Sequence, residues 1–147
     1  MGRFEGSSED LISESEEIQQ LADIGKWEYD RVNNVHTWSL GQQRIYEIGP
    51  DEVPKSMKEL LHLVHPDDRH LFIHEFPLRL LTEDKIEITH RIIGRKSGEL
   101  KYVRSHVVRV RERNQIRGYK GISQNITAQV ARENQINELL VETQHFA

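Results

Sequence analysis

From Lys85 to Thr127 the chain runs through three consecutive segments of alternating character, separated by two tight turn signals. No other stretch constrains the fold as strongly. In Lys85–Ile93, Ile86, Ile88, His90 and Ile92 alternate with Glu87, Thr89 and Arg91. A period of two puts the first set on one face of a half-buried antiparallel strand, so His90 shares the apolar face. Lys96-Ser97-Gly98-Glu99 reads as a hairpin turn. Leu100–Arg111 is a long Val-rich strand whose alternation slips at Val107-Val108, which predicts a bulge there. Arg113-Asn114-Gln115 turns the chain into a last strand, Ile116–Thr127. Thr127 then caps a final helix reaching about His145, with Ile136, Leu139, Leu140 and Phe146 on one side.

Upstream the segments are shorter and mostly of helical period. Residues 1–7 are small and polar and read as a disordered lead. Ser7 and Asp10 have capping-box spacing, and Leu11, Ile18 and Leu21 form a thin coiled-coil-like stripe, so a helix is expected over 8–24 with Gly25 ending it. Lys26–Asp30 and Val35–Ser39 flank the turn signal Asn33-Asn34 and read as a hairpin. Gln42–Ile48 is a short helix closed by Gly49-Pro50, and Met57–Val64 has helical spacing. Pro66-Asp67-Asp68 opens another helix, with Phe72, Ile73, Phe76 and Leu80 on one face and Pro77 kinking or ending it. The expected class is α+β: five antiparallel strands with helices in the middle of the chain and a flanking helix at each end. The units are a lead at 1–7, a helix at 8–24, the domain at 25–127 and a linker helix at 128–147.

Charge is unevenly spread over the 147 residues, whose formal net charge is −4. Residues 1–24 hold seven acids and one base, a local −6; residues 85–120 hold eleven bases and three acids, a local +8. The mild overall acidity argues against nucleic acid as a partner. With no Cys, disulfides, thiolate metal sites and thiol nucleophiles are excluded. No run of 18 apolar residues is present, so no membrane insertion is expected, and with no apolar signal core at Met1–Asp10 the expected location is the cytoplasm.

Several short motifs, taken in order, resemble PAS domains. Gly25-x-Trp27-x-x-Asp30, Trp38-Ser39 and Arg44-Ile45-x-x-Ile48-Gly49 resemble the opening of that family. His65-Pro66-Asp67-Asp68-Arg69 resembles its helix-opening motif, as in the subgroup with an HPDD sequence. Glu87-x-x-His90-Arg91-Ile92, Gly98-Glu99 and Tyr102-Val103-Arg104-Ser105 resemble its PAC strands, and Gly121–Thr127 resembles the junction after its last strand. The resemblance covers about residues 24–128 and implies a sensory and dimerisation module of a signal-transduction protein. It implies that the chain is a fragment of a larger protein, passing a change through Asn125, Ile126 and Thr127 into the last helix and on to an output domain, a histidine kinase first and a diguanylate cyclase next. It further implies a homodimer through the flanking helices. The family's usual acid at the junction is Asn125 here, which can hydrogen-bond but cannot form an ion pair.

The candidates for lining a pocket are His90, Trp38, Ile45, Phe72, Phe76, Ile92 and Ile122. No catalytic residue and no cofactor is assigned. Cysteinyl flavin chemistry is excluded by composition. His70 and His74, the haem candidates by resemblance, lie about 100–140° from the centre of their helix's apolar face. His70 and His74 also have zinc-like spacing amid His62, His65, Asp67 and Asp68, but a solvated helix start accounts for the cluster, and no metal is assigned. Two other readings are a small isomerase- or dehydratase-like enzyme using His90 with an acid as general base, and a passive structural dimeriser. The basic stripe Arg104, Arg109, Arg111, Arg113 and Arg117 is expected on an outer sheet face, pairing with the acidic first helix. Charge reversal at Glu16 and Glu17 should then weaken docking of that helix, seen as faster hydrogen exchange in it; an unchanged exchange pattern counts against the pairing.

Overall fold

In the computed structural model, residues 23–146 are described. The expected lead and first helix at residues 1–22, with Glu16 and Glu17, lie outside them. Five strands form one antiparallel sheet: β1 (Ile24–Asp30), β2 (Val35–Trp38), β3 (Lys85–Ile93), β4 (Leu100–Glu112) and β5 (Gln115–Asn125), in the spatial order β2-β1-β5-β4-β3. Between β2 and β3 come α1 (Leu40–Tyr46), α2 (Met57–Leu61) and α3 (Phe76–Thr82), and α4 (Thr127–Phe146) follows β5. The α+β class with helices grouped in mid-chain is as the periodicities predict.

Several boundaries differ. Ile24 and Gly25, expected at the end of the first helix, belong to β1, and the left-handed residue is Asp23 (φ 55°). Gly25 serves a close approach instead: a Cβ there would overlap the backbone of Gln42 in α1. α1 ends not at Gly49 but at Glu47 (φ 60°), whose carboxylate accepts from the amides of Lys96 (3.1 Å) and Ser97 (2.6 Å). The helix expected from Pro66 is divided into a 3₁₀ turn (Pro66–Asp68), a π turn (Leu71–Glu75) and α3. Pro77 does not end the helix: the backbone is helical on both sides of it, and the π turn Leu71–Glu75 lies just before it, where its ring and missing N–H disturb the regular ladder.

The bulge also moves. The β4–β5 register shifts between Val110 and Arg111, not at Val107-Val108. Val103, Ser105 and Val107 keep strict inward alternation, and Arg109 follows them inward with its guanidinium paired to Asp84. Val108 is an apolar residue on the outer face, which mimics a slip in the sequence without one in the backbone. The turn between β4 and β5 is two residues, Arg113 (φ 52°) and Asn114 (φ 65°), the doubly left-handed geometry that suits a right-twisted hairpin.

The helices cover one face of the sheet and make two buried clusters. One holds Ile45, Tyr46, Ile48, Leu63, Ile92 and Val103; the other holds Val64, Phe72, Phe76, Ile86, Ile88 and Val107. Asp68 fixes the segment between α2 and α3 to β3. Its carboxylate accepts from the Arg91 amide (2.7 Å), Nε (3.0 Å) and a terminal guanidinium nitrogen (2.7 Å). The Arg91 side chain lowers the Asp68 pKa against an opposing desolvation.

The arginine stripe is not gathered on the outer face as expected, since Arg109 follows the inward alternation of β4, and its members have acidic partners within the sheet and its loops. Arg104 pairs with Glu87 (3.4 Å), Arg111 with Asp84 (3.4 Å), and Arg117 with Glu112 (2.6 Å). Any pairing with the acidic first segment lies outside the described residues.

Asp68→Asn removes the charge but not the volume. It is expected to destabilise the domain by about 2 kcal/mol, the scale of a charge-assisted hydrogen bond lost in a partly buried site. Urea unfolding monitored by circular dichroism checks this; an unchanged midpoint would show that the pair contributes no net stability.

Candidate ligand pocket

Ser39 joins β2 to α1. Its hydroxyl accepts from the Gln42 amide (3.2 Å), capping the helix, and from the Lys26 amide (2.9 Å), holding the cap against β1. This sets α1 across the sheet with Gln42, Ile45 and Tyr46 buried. The opposite wall is carried by the π turn and α3, where Phe72 and Phe76 pack with ring centroids 5.8 Å apart. Between these walls lies a cavity of about 440 Å³, within the range of small-molecule sites.

The sheet supplies its floor. Gly121 faces Trp27 across β1 and β5, and a Cβ there would overlap the indole ring. Ser105 and Ser123, inward neighbours on β4 and β5, are buried and bonded to each other through their hydroxyls (3.2 Å). Short side chains at these positions leave the space that aromatic residues then border: Trp27, Trp38, Tyr46, Phe72, Phe76 and Tyr119.

His90 projects from β3 into this wall. It is 3% exposed, meets Phe72 edge-on (centroids 4.8 Å apart) and pairs through Nε2 with the Tyr46 hydroxyl (3.3 Å). Nδ1 has no partner. Burial pushes the His90 pKa down to about 4, against a smaller upward pull from Asp68, so the imidazole is neutral at pH 7. Burial likewise raises the Tyr46 hydroxyl well above its ordinary value.

Of the residues expected to line a pocket, His90, Trp38, Phe72 and Phe76 lie together around the cavity. Ile45 and Ile92 lie instead in the adjoining cluster, packed with Leu63 and Val103. Ile122 is on the outer face, 46% exposed, because the inward positions of β5 are Tyr119, Gly121 and Ser123. Hydrophobicity alone pointed the wrong way there: small and polar residues occupy the inside. Gln42, Tyr29, His36, Ser105, Tyr119 and Ser123 also line the cavity. Gln42 had a legible signal, since it lies three residues before Ile45 and four before Tyr46, on the inner side of a short helix.

The charged cluster before α3 is used structurally. His65 Nδ1 accepts from the Asp67 amide (3.1 Å), capping the 3₁₀ turn, and Asp68 is engaged by Arg91. His70 and His74 are exposed. Among the described residues no three His, Asp or Glu side chains are grouped to hold a metal. The acid required by an enzyme reading of His90 does not border the cavity, whose described lining contains no Asp or Glu.

At the far end of β5 the junction is tightly bonded. The Thr127 hydroxyl accepts from the Tyr102 amide (3.0 Å) and donates to Asn125 Oδ1, which also accepts from the Thr127 amide (3.1 Å). Ile126 is buried, and its amide donates to the Tyr102 carbonyl (2.8 Å). The amide of Asn125 donates to the Asp23 carbonyl (3.0 Å).

The family model described as the PAS fold matches residues 35–123. A sensory box histidine kinase/response regulator from Burkholderia thailandensis is similar in structure, with a TM-score of 0.66 at 19% identity, over 86% of this chain and 95% of that one. The N-terminal domain of a diguanylate cyclase with PAS/PAC sensor from Marinobacter aquaeolei gives 0.63 at 16%, over 72% and 97%. A PAS domain from Colwellia psychrerythraea gives 0.60 at 18%, over 80% and 98%. Among curated proteins none matches at significance.

Buried neutral, His90 makes folding oppose its protonation. The unfolded chain takes up this proton near pH 6.5 and the folded one only near 4. The His90 contribution is therefore complete above 6.5 and is lost as pH falls towards 4, by about 1.4 kcal/mol per unit at most. Urea unfolding between pH 4 and 7 should show this slope, and His90→Phe should flatten it; an equal slope in both proteins refutes the assignment.

Proposed function

The chain belongs to the PAS fold family, and from that premise we propose that it is the sensory and dimerisation module of a signal-transduction protein. The observation that carries this reading is the course of β5. The strand borders the cavity with Tyr119 and Ser123, then runs through Asn125, Ile126 and Thr127 directly into α4. A ligand or partner that alters packing at the cavity thus acts on a strand whose end is hydrogen-bonded to the base of a long helix. For a signal to pass, the two states of that helix must differ in affinity for whatever is sensed.

α4 is the route out of the domain. Its stripe of Ile136, Leu139 and Leu140 is 56–57% exposed, so the sheet does not cover it. Residues spaced by three and four on one helix suit a second copy of the same helix, and a homodimer through the flanking helices follows. The output domain lies in the same protein, a histidine kinase in first place and a diguanylate cyclase next; the names of the similar structures support that order. The segment itself carries no catalysis in this reading. No helix among the described residues is long and apolar enough to cross a membrane, and the proposed site of action is the cytoplasm.

Light scattering after gel filtration should give a dimer at micromolar concentration. Replacing Leu139 and Leu140 together by Asp should yield a monomer that keeps the strand signal of the sheet in circular dichroism, since neither side chain supports the sheet. A monomer at every concentration of the unaltered chain, with α4 intact, removes the output route.

A further inference from the structure

The helical run from Leu71 to Thr82 divides its apolar residues between two sides. Phe72 and Phe76 are buried against the sheet, and Leu80 packs on the same cluster. Ile73, Leu78 and Leu81 turn away from it and are 50%, 66% and 70% exposed. Pro77 is exposed as well. Pro77, Leu81 and Leu78 fall within about 100° of one another around α3, and Ile73 stands one turn before Pro77. These four make one apolar stripe on the outside of the helical layer. Apart from α4, the other exposed large apolar residues are spread in ones and twos over separate elements. Single exposed apolar side chains are ordinary, whereas a contiguous patch of a few hundred Å² marks an interaction site.

The charges around the stripe restrict its partner. Arg79 pairs with Glu83 (2.7 Å), and Asp84 pairs with Arg109. Glu75 and the exposed His74 stand on the turn between Ile73 and Leu78. The rim therefore carries no block of one sign, and a strongly acidic or basic partner gains nothing from it. That disfavours the acidic segment before β1. The chain's own α4 starts at Thr127, seated on Tyr102, whereas the Leu81 carbonyl accepts from Arg109 (3.4 Å), seven residues or about 23 Å farther along β4. A second copy of the same stripe matches in length, apolarity and neutral rim by construction. A two-fold axis brings the two stripes together as an antiparallel helix pair. A patch of this size buries under about 600 Å² per partner, the scale of weak, transient contacts and below the ~800 Å² of a standard interface.

We propose that the stripe of Ile73, Pro77, Leu78 and Leu81 is a weak self-association surface, through which α3 of one molecule packs on α3 of a second. It lies away from the root of α4, so a pair formed through α4 leaves it free to join one pair to the next. A contact of this strength forms where molecules are held close together and effective concentration replaces affinity. It needs nothing from the cavity and stands whether or not α4 forms a dimer.

The chain carrying Leu139→Asp and Leu140→Asp removes the α4 route and leaves α3 untouched. Sedimentation equilibrium from about 10 μM to about 1 mM should show this chain passing from monomer to dimer. Adding Leu78→Glu and Leu81→Glu should weaken the association about tenfold or more. Ile73→Gln reads the same prediction from the other end of the stripe, and serves if the double Glu variant does not fold. Adding Ile122→Glu, on the outer sheet face, should leave the association unchanged. A chain that stays monomeric to about 1 mM overturns the proposal. So does association that survives the stripe substitutions, or that is abolished by Ile122→Glu.

Discussion

The pairing of Asp68 with Arg91 is the contact on which the helical layer depends. β3 is an edge of the sheet, and its backbone would be open to another strand. The segment after α2 covers it: Val64 bridges to Ile92, the His65 amide donates to the Arg91 carbonyl (2.9 Å), and the Ile93 amide donates to the Leu63 carbonyl (3.2 Å). Asp68 closes this patch by taking both the backbone and the side chain of Arg91. Arg69 tightens it from within, donating through Nε to the Leu61 and Val64 carbonyls. With that segment fixed, Phe72 and Phe76 have one place to go, against Ile86, Ile88 and Val107.

Glu47 does for α1 what Asp68 does for the segment before α3. Burial alone would raise its pKa, but the Ser97 amide and hydroxyl and the Lys101 ammonium together hold it down to about 2. The carboxylate thereby ties the left-handed end of α1 to the β3–β4 turn. Two acids, each about fifty or twenty residues from its partner, thus pin the two sides of the helical layer to the same edge of the sheet. The space between them is the cavity. It stays open because Ser105 and Ser123 are too short to fill it, so the hydrophobic effect closes the core around the space and not through it.

A consequence is that the cavity and α4 share a strand but not a core. β5 contributes Ser123 to the cavity, and two residues later Asn125 begins the bonding that seats Thr127 on Tyr102. Asn125 here accepts from both the amide and the hydroxyl of Thr127, a neutral cap in place of an ion pair. The start of α4 is therefore seated on the sheet by neutral hydrogen bonds and not by surface charges.

The three long strands, the hairpin before them, the helical middle and the start of the last helix at Thr127 were all legible in the sequence. Each depends on local periodicity or on a turn chemistry read within a few residues. That His90 shares the inward face of β3 was legible for the same reason. The two acidic clamps were not, because Asp68 and Glu47 find their partners through the fold and no local pattern marks them. Nor was the composition of the cavity: Ile122 is the most apolar residue of its stretch yet faces outward, while Ser123 beside it is wholly buried. Strand alternation determines that neighbours face opposite ways, but only the register of β5 between β1 and β4 decides which of them faces the helices. The sequence by itself determined the elements and their order; the tertiary structure decided which side chains border the cavity, since that depends on how separate elements approach and on where small residues leave room.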